Sequence, residues 1–509
     1  MNALNAIKSI LQLSPALADQ IAWDGWRTEQ EVMAGKVTLA RQYADGEHAM
    51  KLTPEMTAML RLDPQHAGAP FAVNHCGNIV ATPVDRLEVT SIDCNNPTGS
   101  VWVKELLDAN RFDGLQLDLH EAAIGDGNSF LLVEYDNETK EVILTHEQAY
   151  DGIEGVIVVY SANKRKPAAA IKIWQETLTS KDKVTNISRV NIYWPDRVEK
   201  YLIDGEIISK YQPMDKAWPE PWMLDGKPIG VPVIHFRNDG KRYNAYGVSI
   251  LEGVIPIQDI LNRTLMSMTM TAELTAFPIR YMFGAKPPAQ VTPGMFFHVA
   301  PGVDPKTNLP ATPSAEQVAW YSAIKIGSLP QGDLSQYLGQ AQFLIEQMYM
   351  ISRIPMTKTV SANTSGEALK QLEAGLLGRL RRLHVSFGNS WEDAVTLAHR
   401  VQQAFGDAPP KIGRPKTQWK SAEIRNDAAV IDNALKLADR IDERTFLQEV
   451  AKVFGWDAEK IDAILISKRG DNAARLAALG GGFPGMGSAV DDSQDNFTLD
   501  QPLQLENQT

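Results

Sequence analysis

The segment PIQDILNRTLMSMTMTAELTAFPIRYMFG, Pro256 to Gly284, constrains this chain more than any other. Its first 21 residues, to Ala276, carry a helical pattern that Pro278 ends. Ile257, Leu261, Leu265, Met268 and Ala272 make one apolar stripe, yet Ile260, Met266 and Met270 lie off it. Gln258, Asp259, Asn262 and Arg263 cluster at the start. A helix apolar on more than one side and polar at one end has to be covered by several neighbours. It is not a bilayer span: the longest run without charge, between Arg263 and Glu273, is nine residues, where a span needs roughly 20. Asp333 to Arg353 repeats the length and the breadth, with Leu334, Leu338, Ala341, Ile345 and Met348 on one stripe and Phe343, Leu344 and Met350 outside it. Two struts of roughly 30 Å flank an insert, 277–332, that holds nine prolines. The expectation is an antiparallel pair with the insert at its far end.

At 509 residues the chain exceeds one core, so several subregions are expected. Residues 24–240 read as one α+β domain. Helical, polar sequence runs from about Asp24 to Arg61, and FAVNHCGNIVATPVDRLEV predicts a helix leading into a strand. One further helix is expected across VWVKELLDANRFDGLQLDLHEAAIGDG, followed by a meander of strands from SFLLVEY to EIISKY, closed by VPVIHF. Ser249 and Glu252 form a capping-box pattern that predicts a helix start near Ile250, with Pro256 kinking or restarting it. Thr364 and Glu367 predict a second box, opening a long helix from Ser365 to about Phe405. GDAPPKIGRPK then reads as a linker to a helical C-terminal region. The last 30 residues, 480–509, have no Lys or Arg and are expected to be disordered.

A net charge of −12 argues against a general nucleic-acid binder, whose basic footprint would release counterions from phosphates. It allows walls that nucleic acid merely passes. Two cysteines, Cys76 and Cys94, exclude a disulfide framework. The N-terminus has neither a basic n-region nor a long apolar h-region, so no signal peptide is expected. No P-loop or G-x-S-x-G elbow occurs, and neither HEAAI at His120 nor HEQAY at His146 completes HExxH. The GxGxxG at Gly480, Gly482 and Gly485 follows no strand and reads as tail. No catalytic residue, cofactor or metal is therefore expected, although distant carboxylates could still assemble in space.

The string GVSILEGVIPIQDILNRTLMSMTMTAELTAFPIRYMFG resembles the stem helix of tailed-bacteriophage portal proteins. The likeness rests on Gly247, Ser249, Gln258, Asp259, Asn262, Arg263, Ala276, Pro278, Arg280 and Gly284. RQYADGEH is similar to an early family signature, with Ala44 where a second tyrosine is usual. VNHCGNIVATPVDRLEV, IGDGNSFLLV, IYWPDRVEKY, VPVIHFRND, TSGEAL and WKSAEIRNDAAVIDNALKL follow in the family's order. The resemblance implies an α+β portal fold. Its parts would be a wing (1–246, with the long-helix region 365–414), stem helices 247–276 and 333–353, a clip 277–332, a tunnel loop 354–364, a helical crown 415–479 and the acidic tail 480–509. It also implies a ring, usually dodecameric, at one capsid vertex of the virion, built in the host cytoplasm. Double-stranded DNA would be packaged and ejected through it, with the terminase large subunit, major capsid protein, scaffolding protein and head-tail adaptor as partners. Met356, Thr357, Lys358 and Thr359 would face the DNA. Gln258, Asp259, Asn262, Arg263, Leu265, Met268, Leu338, Ile345 and Met348 would pack between subunits. A nuclease using metal and dispersed carboxylates, another phage enzyme, or a monomeric scaffold or adaptor are the alternatives.

Overall fold

The computed structural model describes residues 3–12, 21, 23–48, 73–160, 167–180, 183–204, 207–210, 221–239, 245–276, 280–283, 314–316, 318–319, 325–328, 334–356, 366–422, 442, 444, 446–447, 461 and 464–467. The chain divides into two compact units, Met1–Ala422 and Glu423–Thr509. In the second, Leu447 and Ile461 form a small buried cluster with Phe446, Ile464 and Leu465 against it. Most of the expected crown and all of the tail lie outside the described residues.

The first unit mixes helices and strands. Helices α1 (Ala3–Gln12), α2 (Trp23–Ala44) and α3 (Cys76–Val84) precede strand β1 (Val89–Asp93). Two helices follow, α4 (Pro97–Ala109) and α5 (Phe112–Asp126), where the sequence suggested one. The break falls at Arg111, which adopts a left-handed φ of 50°. The preceding Asn110 side chain donates to Leu106 O (2.9 Å) and Val142 O (3.0 Å) and accepts from Leu144 N (2.7 Å). A short polar side chain that bonds backbone favours such a stop over helix continuation.

Next come β2 (Asn128–Asp136), β3 (Glu141–Gln148), β4 (Gly155–Tyr160), β5 (Pro167–Ser180), β6 (Lys183–Tyr193), β7 (Val198–Asp204), β8 (Ile207–Lys210), β9 (Met223–Leu224), β10 (Lys227–Pro228) and β11 (Val233–Arg237). β4 to β8 form an antiparallel meander, and β11-β2-β3 a second sheet with β2 at its centre. At β4 and the facing part of β5 the meander is buried on both faces, and strand periodicity divides the residues between them, while β8 is exposed. Ile157 pairs with Ile171, and both face the cluster of Leu4, Ile7, Leu11, Trp23 and Trp26 from α1 and α2. Val158 pairs with Ala170, and both face the larger core.

Helix α6 (Ile255–Ala276), strands β12 (Arg280–Phe283) and β13 (Lys325–Ser328), helices α7 (Ser335–Ser352) and α8 (Gly366–Phe405), and strand β14 (Lys416–Trp419) complete the unit. β12 and β13 pair antiparallel inside the proline-rich insert. α8 packs on β2 and β11, and its Phe387 and Trp391 surround His120 of α5 together with Phe236 and Trp419. His120 Nδ1 lies 3.2 Å from Leu87 O, and Trp391 Nε1 donates to His120 Nε2 at 3.1 Å. That geometry fixes the tautomer with hydrogen on Nδ1. Burial pushes the imidazole down to about 3, so it stays neutral.

The segment GDAPPKIGRPK is fastened to the body rather than being a free linker. Asn96 donates to Lys411 O at 2.7 Å, His399 Nε2 bonds Pro410 O at 2.9 Å, and a Cβ at Gly413 would lie 2.3 Å from Cys94 O. It delivers β14 to pair antiparallel with β1, so residues 416–419 belong to the body's sheets. The helix expected near Ile250 instead begins at Ile255. Residues 250–254 are turns, and Ser249 Oγ accepts from Leu251 N (3.0 Å) and donates to Gly125 O. Pro256 thereby falls in the first helical turn, where no N–H is needed and no kink results.

Arg41, on the last turn of α2, ties three elements. Its Nε and one terminal nitrogen donate to Asp126 Oδ2 (2.9 and 2.8 Å), and it reaches Asp151 Oδ2 (3.3 Å) and Ala149 O (3.1 Å). Burial nonetheless pushes the Asp126 carboxyl up to about 6, against the pull of Arg41. The folded state then holds this proton more tightly than the unfolded chain, whose carboxyl titrates near 3.8. Stability from this group is full below about pH 4 and is lost as pH rises through 6. Urea midpoints of wild type and Asp126→Asn will therefore separate with pH: wild type declines relative to the variant between about pH 4 and 6. A difference constant across that window would contradict burial as the cause.

Candidate assembly surface on the helix pair

α6 and α7 are antiparallel. A Cβ at Gly253, just before α6, would lie 3.2 Å from Ile351, and Thr271 Oγ1 bonds Tyr337 OH at 3.3 Å. The start of one helix therefore meets the end of the other. The seam continues the body's core: Leu261, Ala341 and Met348 are buried in it, and Ile257, Leu265, Leu344, Ile345 and Tyr349 pack against it. Met266 is buried as well, and Met268 is half-buried.

The polar residues at the start of α6 form a latch within the chain. Gln258 Oε1 accepts from His75 N (3.1 Å), and its Nε2 donates to Val73 O (2.6 Å). Asn262 Oδ1 accepts from Val73 N (3.1 Å), and its Nδ2 meets His48 Nε2 (3.1 Å). Asp259 accepts from Tyr43 OH, and Tyr43 stacks on His48 with ring centroids 4.2 Å apart. Gln258 is 0% and Asn262 2% exposed. Both were expected on a subunit-packing surface; their side chains are instead engaged by the chain's own His48, Val73 and His75. Arg263 and Ile260 face outward.

Outward apolar residues are concentrated on α7. Leu338 is 57%, Phe343 56% and Met350 68% exposed, with Ile351 beside them and Ile260 on α6. Phe343 and Met350 are seven residues apart and so share a face. Of the residues expected to pack between subunits, Leu338 lies on the outside, Leu265 and Ile345 are half-buried, and Met348 is sealed inside. Of the expected DNA-facing group, Met356 is half-buried, and Thr357, Lys358 and Thr359 lie outside the described residues.

Two features escaped the sequence reading. The latch partners Tyr43, His48, Val73 and His75 are too distant in sequence to be paired by pattern. Arg379 of α8 carried a readable signal, because it sits on the stripe of Leu376, Leu380, Leu383 and Phe387 and is buried there. Among the described residues no group of three or more His, Cys, Asp or Glu is placed to hold a metal ion, and no helix is long and apolar enough to cross a membrane. His235 is likewise held neutral by burial: its Nε2 donates to Asn128 Oδ1 at 2.9 Å, and Tyr160 OH bonds Nδ1 at 2.7 Å.

Among the described residues the helix pair is thus rooted in the body's core and leaves apolar side chains exposed on α7. The chain belongs to the family described as phage portal protein, SPP1 Gp6-like, whose profile matches residues 67–473. A portal protein of Mycobacterium phage D29 is 30% identical over 228 residues, 43% of this chain and 44% of the relative. One of Mycobacterium phage L5 is 28% identical over 265 residues, 48% of this chain and 52% of the relative. The matches thus span about half the length of these relatives. A chain from a solved structure described as "Neck of empty GTA particle computed with C6 symmetry" is 11% identical, with a TM-score of 0.37, over 78% of this chain and 94% of that one.

The latch makes a specific demand on stability. Gln258→Ala would remove a fully buried side chain and leave the part-buried His75 N–H and the Val73 C=O without their side-chain partner, each hydrogen bond worth about 0.5–1.5 kcal/mol beyond the lost packing. Chemical denaturation is expected to show a loss of roughly 2–4 kcal/mol, against at most about 0.5 kcal/mol for Arg263→Ala on the exposed side.

Proposed function

We propose that this chain is the subunit of a closed, dodecameric portal ring at one capsid vertex. Double-stranded DNA is packaged and ejected through the ring, which joins head to tail. The observation that carries this reading is the outward apolar face of the helix pair. Covering a Phe, Met, Leu or Ile side chain stabilises by about 1.5–3 kcal/mol, and no described residue covers these. The latch fixes the pair at its root, so the uncovered face is presented in one orientation. A surface that must meet a different surface on the next copy gives a head-to-tail contact, and such contacts close into rings when the rotation allows.

In this reading the wing comprises 1–246 with the long-helix region 365–414, and the stem 247–276 with 333–353. The clip is 277–332, with the β12–β13 ladder inside it, and the tunnel loop is 354–364. The crown is the part of 415–479 that follows β14, and 480–509 is an acidic tail. The terminase large subunit would drive DNA through the ring. The major capsid protein, scaffolding protein and a head-tail adaptor would contact it from outside. The protein itself would catalyse nothing, assembling in the host cytoplasm and ending in the virion. Its net charge of −12 suits a wall that DNA slides past: a lining with 6–10 phosphate contacts changes affinity by about 10³–10⁵ between low and moderate salt.

Negative-stain imaging and native mass measurement of the purified protein should show annular multimers. Phe343→Glu with Met350→Glu should abolish them, while the unfolding free energy of the resulting monomer stays within about 0.5 kcal/mol of that of neutral substitutions, because both sites are already exposed. A stable wild-type monomer at every concentration would refute the ring. Lys358→Glu places an acid where the loop would meet DNA, so packaged length or retention should fall in a packaging assay. Unchanged packaging would remove Lys358 from the channel.

A further inference from the structure

Three arginines gather where α7 ends, two of them on one carboxylate. Arg379, buried on α8, donates to Ser352 O at 3.2 Å and to Asp239 Oδ2 at 2.8 Å. Arg382, three residues further along α8, stands 3.8 Å from Asp239 Oδ1 and is largely exposed. Arg353 follows Ser352, is exposed, and passes α8 one turn before Arg379, its Cβ and carbonyl oxygen each 3.6 Å from where a Cβ on Gly375 would be. Burial depresses the Arg379 guanidinium from its ordinary value. Asp239 opposes this, and the positive charges of Arg382 and Arg353 add to it.

The neighbouring carboxylates are engaged elsewhere. Glu373 is held by Arg86 at 3.0 Å, and Glu392 by Lys416 at 3.3 Å. Among the described residues Arg353 has no carboxylate partner. Arg379 and Arg382 therefore share Asp239, and Arg353 adds a third positive charge felt by Arg379, in a chain whose total charge is −12. Asp239 itself takes a left-handed φ of 42°, a conformation that asparagine and aspartate tolerate better than other side chains.

We propose that Arg353 and Arg382, with Arg379 fixed behind them, form a subsite for a phosphate-type oxyanion, supplied by the phosphodiester of duplex DNA or by free inorganic phosphate. Guanidinium groups offer forked donors that match phosphate oxygens, and a charge-assisted pair is stronger than a neutral one. Arg379 is held by its two bonds, so it supplies a fixed positive field. The two exposed arginines supply the donors. Asp239 acts as the resident counter-ion that an incoming oxyanion competes with. The DNA source rests on the conduit reading above. One such contact per subunit is weak and salt-sensitive, which agrees with a wall that guides DNA without gripping it.

The test uses the full-length protein at fixed ionic strength. Thermal unfolding is followed with and without inorganic phosphate, and binding of a short fluorescein-labelled duplex is measured by anisotropy across a salt series. Phosphate should raise the wild-type midpoint, and Arg353→Gln with Arg382→Gln should abolish that rise. The same double variant should flatten the salt dependence of duplex binding by about 2 in log–log slope. Asp239→Asn should tighten phosphate binding by roughly threefold to tenfold, a gain that misfolding does not produce. Loss of the phosphate response with duplex binding unchanged would uphold the oxyanion subsite and assign it to free phosphate. Wild-type behaviour of both variants towards both probes would overturn it. Ring imaging is separate: phosphate effects without rings would retain the subsite and remove the conduit.

Discussion

The fold depends on a backbone crossing in which side chains would not fit. Gly127 has φ 90°, and a Cβ there would lie 2.7 Å from Ser249 N. A Cβ on Gly247 would lie 2.0 Å from Gly127 O. Asn238 is buried beneath both: its N–H donates to Gly127 O at 3.0 Å, and its side chain donates to Val248 O at 2.7 Å. Asn128 Oδ1 accepts from Gly247 N at 2.6 Å and from His235. The end of α5, the start of β2, the end of β11 and the approach to α6 are thus joined at one point. The backbone groups named here have partners, as a low-dielectric interior demands, whereas the Asn238 side-chain oxygen is buried without one among the described residues. The direction in which α6 leaves the body is set at this crossing.

From the crossing outward, two polar contacts fix the helix pair. The Gln258–Asn262 latch ties the first helix to His48, Val73 and His75, and Arg379 of α8 ties the Ser352 carbonyl of the second to Asp239. Neither contact can be traded for apolar packing without leaving buried partners unpaired, and that is the costly direction. A strut held at its root by hydrogen bonds of defined geometry keeps its outward face oriented. A strut held by apolar contact alone can roll.

Much of this order was legible in the sequence, and the exceptions have physical causes. The meander strands read well because their β-branched alternation has period two, with both faces buried at β4 and the facing part of β5. α5 and α4 merged in the reading because the stop at Asn110–Arg111 depends on a side-chain bond to Val142, a strand away in sequence. β14 was invisible because four residues between glycine, proline and lysine look like linker until β1 is beside them. Gln258 and Asn262 read as surface because polarity at a helix start usually means solvent. Here it means a backbone segment nearly 190 residues earlier, which no local pattern encodes.

The distribution of exposed apolar residues then acquires a meaning that the count alone lacks. Isolated exposed side chains such as Val101, Leu117 and Ile153 are ordinary on any folded surface. Phe343, Met350 and Ile351 fall on one side of a helix whose other side is sealed against the core, with Leu338 exposed at the opposite flank. The same helix cannot turn that face inward, because Met348 and Ala341 already occupy the seam and Ser352 is anchored by Arg379. No described residue covers that face, and under the ring proposal the next copy does. The constraints that make the body rigid are thus the ones that leave this surface unsatisfied.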